Sequence, residues 1–214
     1  MPKNENREYR SMTMEAVRAE DESTEEKRVA GYASTFDDPY VLFENDDMIY
    51  TEQIDRNAFD ECDMADVIMQ YDHAGRVFAR ISNETLSVTP DEQGLYVEAN
   101  LGGTDIGGQV YEEIKGGYTN KMSFGFTVDS DEELRTEAED GRVLITRTIT
   151  KIAKLYDVSA VSIPANNATT IGVATRSKID GAIEALLAER LEAEKLALAR
   201  KRAEVRAKAL TGRR

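Results

Sequence analysis

At Arg176 the chain changes character. From Ser177 to Leu210 the sequence SKIDGAIEALLAERLEAEKLALARKRAEVRAKAL has no proline and one early glycine, and consists mostly of Ala, Leu, Glu, Lys and Arg. These residues are the strongest helix formers, so the segment predicts a helix of about eight to nine turns. Ile179, Ile183, Leu186, Leu187, Leu191 and Leu198 give it an apolar stripe that weakens after Leu198. Everything before the break is built instead from short alternating or apolar runs, punctuated by turn residues, and these predict strands. The 214 residues therefore read as a body, 1–175, and a helical tail, 176–214. Charge divides at the same point. The tail holds 11 basic and 6 acidic residues, a net of +5, whereas the body holds 16 and 35, a net of −19.

Within the body, residues 10–19 and 28–36 read as two strands joined by the acidic stretch AEDESTEEK. MIYTEQI reads as a strand, and DRNAFDEC as a short helix with Asp55 as its N-cap. DVIMQYDH predicts an apolar strand ending at His73, with Val67, Met69, Tyr71 and His73 on one side. RVFARI, TLSVTP and LYVEANL read as strands, with DEQG as a hairpin turn. TDIGGQVYEEIKGG predicts a helix whose Ile106, Val110 and Ile114 share a face. NKMSFGFTV, VLITRTITKIAKL and YDVSAVSIPA complete the set, with an acidic hairpin region around EELRTEAEDGR. The expected fold is α+β: a β-barrel of mostly antiparallel strands flanked by short helices, plus a long C-terminal helix.

Composition removes several kinds of chemistry. No apolar run approaches 18 residues, so no membrane span is expected, and the first 26 residues carry no apolar signal region. One cysteine, Cys62, excludes an internal disulfide and cysteine-built zinc sites; one histidine, His73, excludes a multi-histidine metal site. LGGTDIGGQ lacks the Gly-Lys-Ser/Thr of a phosphate-binding loop, and ENDD and DSDEE lack the spacing of a calcium loop. No cofactor or metal is expected. The acidic body argues against nucleic acid as a partner.

What remains is a hydroxyl, an imidazole and a carboxylate. In NKMSFGFTV, alternation puts Met122, Phe124, Phe126 and Val128 on one face and Ser123, Gly125 and Thr127 on the other. A strand serine is ordinarily just an outward polar residue. Here Gly125 clears the same face, which suits a serine that a substrate must reach. A histidine in phase with apolar residues, as His73 is, is more often a satisfied core histidine than a catalyst, but His73 ends its strand and is the sole imidazole. Asp157 opens DVSAVSIPA in phase with Ser159, Val161 and Ile163, either as an exposed acid or as a carboxylate orienting an imidazole. Together they have the makings of nucleophile, base and orienter. Cys62 is a poorer nucleophile, because Asp60, Glu61 and Asp63 disfavour its thiolate.

GYASTFD, IDRNAFDE, a strand ending in His73, KMSFGF and DVSAVSIPAN occur in that order over residues 10–175. This combination resembles the prohead proteases of tailed bacteriophages, which are similar in fold to the herpesvirus assemblins. The resemblance implies a serine endopeptidase with Ser123 as nucleophile, His73 as base and Asp157 as the third, acidic member, where many relatives carry Glu. It implies a maturation protease in the cytoplasm of an infected bacterium, inside an immature capsid. Its substrates would be the scaffolding segment of the major capsid protein and the protease itself. The basic tail would pair with helical scaffold segments or be cut away near TRSK or TGRR, and self-association stays open. Two rivals remain: a non-catalytic assembly or scaffolding protein with a protease-like body, and an acyl hydrolase. The second lacks the G-x-S-x-G elbow. Ala165–Asn167 is a candidate source of oxyanion donors.

Overall fold

Turn residues cut the body into strands as their spacing predicts, and the computed structural model describes residues 7–13, 26–161 and 173–211. Among these it has ten strands and two helices. The strands are β1 (Glu8–Thr13), β2 (Arg28–Thr35), β3 (Tyr40–Glu44), β4 (Met48–Ile54), β5 (Ile68–Tyr71), β6 (Ala74–Arg80), β7 (Leu86–Pro90), β8 (Gly94–Asn100), β9 (Lys121–Glu137) and β10 (Val143–Val161). The helices are α1 (Asp105–Lys115) and α2 (Val173–Thr211). The architecture is mixed α+β with mostly antiparallel sheets. The β10–β4 and β10–β5 pairings are parallel, as is the single bridge between Asp63 and Lys154.

Two sheets form, and no closed barrel is present among the described residues. One runs β1-β9-β10-β4-β3, with β5 and β6 branching from β10; the other runs β2-β8-β7. The branch follows from length. β10 has 19 residues, enough for β4 to pair along Val143–Ile149 and β5 along Asp157–Ala160. The two sheets contribute to one buried cluster, including Val29, Leu95 and Val97 from the smaller sheet and Met122, Phe124, Phe126, Ile152 and Val158 from the larger. The Phe124 and Phe126 rings stack 4.7 Å apart. Each such side chain contributes about 1.5–3 kcal/mol by leaving water.

Several expected elements differ in the structure. DRNAFDEC is not a helix. Asp55 Oδ1 accepts from the Asn57 backbone and side chain, and Ala58, Asp60 and Cys62 each donate to the carbonyl three residues back. Asp55 thus opens a run of tight turns, because its side chain offers the backbone a local alternative to a helix. NKMSFGFTV continues through the acidic segment as the 17-residue β9, and VLITRTITKIAKL joins YDVSAVSIPA in one strand, β10. The helix at 104–117 is present as α1: Thr104 Oγ1 caps the N–H of Gly107 at 3.0 Å, and Val110 and Ile114 are buried. Residues 14–19 of the first expected strand, and Ala165–Asn167, lie outside the described residues.

The chain divides into two units, 1–173 and 174–214. In the second, α2 is about 58 Å long at 1.5 Å per residue. Arg176–Asp180 and Arg190–Glu194 are i,i+4 ion pairs on its surface, and its stripe residues Leu187, Leu191 and Leu198 are all more than half exposed.

The first unit also buries a cluster of charges. Arg10 donates through Nε and Nη2 to Glu52 at 2.5 and 2.8 Å, and through Nη2 to Glu8 at 2.6 Å. Arg147 donates to Glu8 at 3.0 Å, to Glu52 at 2.7 Å and to Asp131 at 2.5 Å. The Tyr40 hydroxyl donates to Glu52. Burial alone would lower the pKa of both guanidinium groups. The carboxylates, Glu52 foremost for Arg10 and Glu8 for Arg147, outweigh it and raise both. Every charge here meets an opposite one, which is what makes its burial tolerable.

Candidate active site

β9 presents its apolar residues to the core and leaves Ser123 and Gly125 on the opposite face. Its neighbours set two rows across that face. Tyr9, Gly125 and Asp157 are cross-strand partners in one; Ser11, Ser123 and Ser159 are partners in the other. Strict alternation would put Asp157 in phase with Leu155, a core residue. A register shift between Leu155 and Asp157 takes up Tyr156 as an extra residue. Leu155 therefore faces Phe126, and Asp157 faces Gly125. A bulge re-aims one side chain in this way and is common beside functional sites.

His73 arrives from another part of the chain. The strand expected to end at His73 ends at Tyr71. Asp72 and His73 form a two-residue hairpin turn between β5 and β6, so the alternation that put His73 beside Tyr71 stops one residue too soon to apply. Both turn residues have positive φ, 48° and 55°. This is the left-handed conformation that a tight hairpin requires, at about 1–3 kcal/mol for a side-chain-bearing residue. The Asp72 N–H donates to the Ala160 carbonyl at 2.9 Å, which ties the turn to β10.

The three residues singled out from the sequence meet here. His73 Nε2 lies 2.6 Å from Ser123 Oγ. His73 Nδ1 hydrogen-bonds Asp157 Oδ2. A carboxylate only accepts, so Nδ1 carries the proton; in the neutral ring Nε2 is then the acceptor, and the Ser123 hydroxyl donates to it. Asp157, with 1% of its surface exposed, is buried rather than the exposed acid of the alternative reading. Ser123 is 1% exposed, and the His73 side chain 17%.

Three contributors were not read from the sequence. Ser159 Oγ donates to Asp157 Oδ2 at 3.0 Å, the same oxygen that His73 uses. Arg7 Nη1 lies 3.4 Å from Asp157 Oδ1, and its guanidinium stacks 3.8 Å from the centre of the Tyr156 ring. The Tyr9 ring packs against the His73 ring with centroids 4.3 Å apart. Ser159 could have been found, since it shares Asp157's face two residues on. Arg7 and Tyr9 could not, because only the β1–β9 register brings them in. Gly125 also has a different role from the one expected. A Cβ there would come within 2.5 Å of Asp157 Oδ1 and 2.8 Å of Tyr9 Cε1. The missing side chain admits the protein's own carboxylate and aromatic ring.

Cys62 takes no part in these contacts. Burial pushes its thiol up to about 11, which keeps it protonated at neutral pH. Among the described residues no group of three or more His, Cys, Asp or Glu could hold a metal ion, and no helix is long and apolar enough to cross a membrane.

The arrangement is that of a serine hydrolase: a hydroxyl, a base in contact with it and an acid behind the base. Comparison with known proteins carries this further. A family model described as caudovirus prohead serine protease matches residues 14–181, and the chain belongs to that family. It is thus a serine protease of the capsid-maturation class, a hydrolase of peptide bonds, rather than the non-catalytic assembly protein or general acyl hydrolase that the sequence left open. No curated relative and no solved structure matches the chain.

Proposed function

We propose that this chain cleaves the scaffolding segment of the major capsid protein, and then itself, with Ser123 as nucleophile, His73 as general base and Asp157 as orienter. One observation carries the reading: a single imidazole touches a serine hydroxyl with one nitrogen and a buried carboxylate with the other. Ser123 attacks the scissile carbonyl as His73 Nε2 takes its proton. The imidazolium so formed is stabilised by Asp157, whose Oδ2 also accepts from Ser159. His73 then gives the proton to the leaving amine, and water repeats the cycle on the acyl-enzyme. Residues 1–175 are the catalytic body on this reading. The basic tail, 176–214, pairs with helical scaffold segments and retains the enzyme inside the immature capsid of the infected bacterium.

The test is co-expression with the capsid protein and mass spectrometry of both chains. Wild type yields shortened capsid protein and shortened protease. Ser123→Ala, which removes one oxygen from a strand face, keeps the circular-dichroism spectrum and yields neither product. Unchanged processing by that variant removes Ser123 from the scheme.

A further inference from the structure

The family match begins at residue 14, yet Arg7 and Tyr9, both before it, touch two of the three proposed site residues. We propose that the segment Arg7–Arg10 is a working part of the catalytic centre, with Tyr9 the positioning residue for the His73 ring and Arg7 the positioning residue for the Asp157 carboxylate. This rests on the assignment of Ser123, His73 and Asp157 above.

The need for such residues follows from where His73 sits. A two-residue turn in the left-handed region is a poor platform for a side chain that must hold two hydrogen bonds at once. Such a conformation persists only when its surroundings over-determine it. Hydrogen bonds at Nδ1 and Nε2 fix the ring within its plane but leave it free to rock about the line joining them. The Tyr9 ring, tilted 56° at a centroid distance of 4.3 Å, blocks that motion from one face. Gly125 is the condition for this contact, since any Cβ there would meet Tyr9.

Arg7 acts on the other partner. Asp157 has two oxygens; Oδ2 receives His73 and Ser159, and Oδ1 faces Arg7 at 3.4 Å. With both oxygens engaged, the carboxylate cannot rotate away from the imidazole. Among the described residues Arg7 Nε is buried without a hydrogen-bond partner, a cost that stacking on Tyr156 only partly offsets. A residue kept in place at that cost fits a role at Asp157 better than one in folding. The segment is anchored from its other face, where Glu8 and Arg10 enter the buried charge cluster. The segment is thus held by Glu8 and Arg10 and serves the site with Arg7, just before β1, and Tyr9, within it.

The experiment uses the full chain and a peptide spanning a capsid-protein junction identified by the co-expression products. Tyr9→Leu is expected to lower kcat about 10²-fold with KM little changed, the scale of a small misplacement of a reacting group. Tyr9→Phe keeps the ring and restores kcat. Arg7→Ala lowers kcat about 10-fold, on the scale of one lost charge-assisted contact, and Arg7→Lys recovers part of it. Because His73 is the only histidine, its ring resonances need no assignment by mutation; they move in Tyr9→Leu and stay in Tyr9→Phe. Parental kcat in both Tyr9→Leu and Arg7→Ala overturns the proposal, as does a Tyr9→Phe loss equal to that of Tyr9→Leu. Should Tyr9→Leu not fold, Arg7→Ala decides alone. If Ser123→Ala still cuts, the site assignment has failed; if Ser123→Ala is inert while the Tyr9 and Arg7 variants keep full kcat, only this inference has.

Discussion

Arg147 and His73 both meet buried carboxylates in the same sheet, but the two clusters are wired for different ends. Around Arg147, two guanidinium groups are shared among Glu8, Glu52 and Asp131, and Glu8 and Glu52 each meet both. Around His73, each contact is made once: one nitrogen to one hydroxyl, the other to one carboxylate. Redundant pairing resists proton movement and holds strands together. A chain of single contacts leaves a proton free to move along it. The difference teaches that burial of polar groups alone does not mark a site; an imidazole joining a hydroxyl to a carboxylate, in place of permanent charge against permanent charge, does.

Five substitutions would break or sharpen this contrast. The largest effect is expected at the site, where His73→Ala lowers kcat about 10⁴–10⁶-fold and Asp157→Asn less, about 10³–10⁴-fold, with little change in the urea midpoint. An Asp157→Asn loss equal to that of His73→Ala would give the carboxylate more than an orienting role. Arg147→Ala should do the opposite. It strands Glu52 and Glu8 with one cation fewer and costs about 3–5 kcal/mol in urea unfolding, while the folded fraction keeps its kcat. Gly125→Ala comes next: it pushes on Asp157 and Tyr9, and a fall of about 10² in kcat is expected with the fold retained. Smallest is Cys62→Ser, with no change in cleavage. In the parent, iodoacetamide should label Cys62 slowly at pH 8 and quickly only as the pH nears about 11. Rapid labelling at neutral pH with loss of activity would reopen the thiol as a nucleophile.

The sequence made one part of the site legible because of scarcity. With a single histidine there was only one imidazole to place, and Ser123 and Asp157 lay on strands whose alternation was clear locally. The features that bring these residues together were not legible. The bulge at Tyr156, the turn at Asp72–His73 and the β1–β9 register are settled by pairing between distant segments, which periodicity in one segment does not encode. For the same reason β3 went unread: YVLFE alternates too briefly to stand out, and it exists as an edge strand on β4. DRNAFDEC failed differently, because Asp55 serves a turn as readily as a helix cap and nothing local chooses between them.

Ser123 shows almost none of its surface to solvent while already in contact with its base. With Ser123 as the nucleophile proposed above, a carbonyl reaches that oxygen only where its cover gives way, so access to the serine, and not its reactivity alone, would govern when such an enzyme cuts.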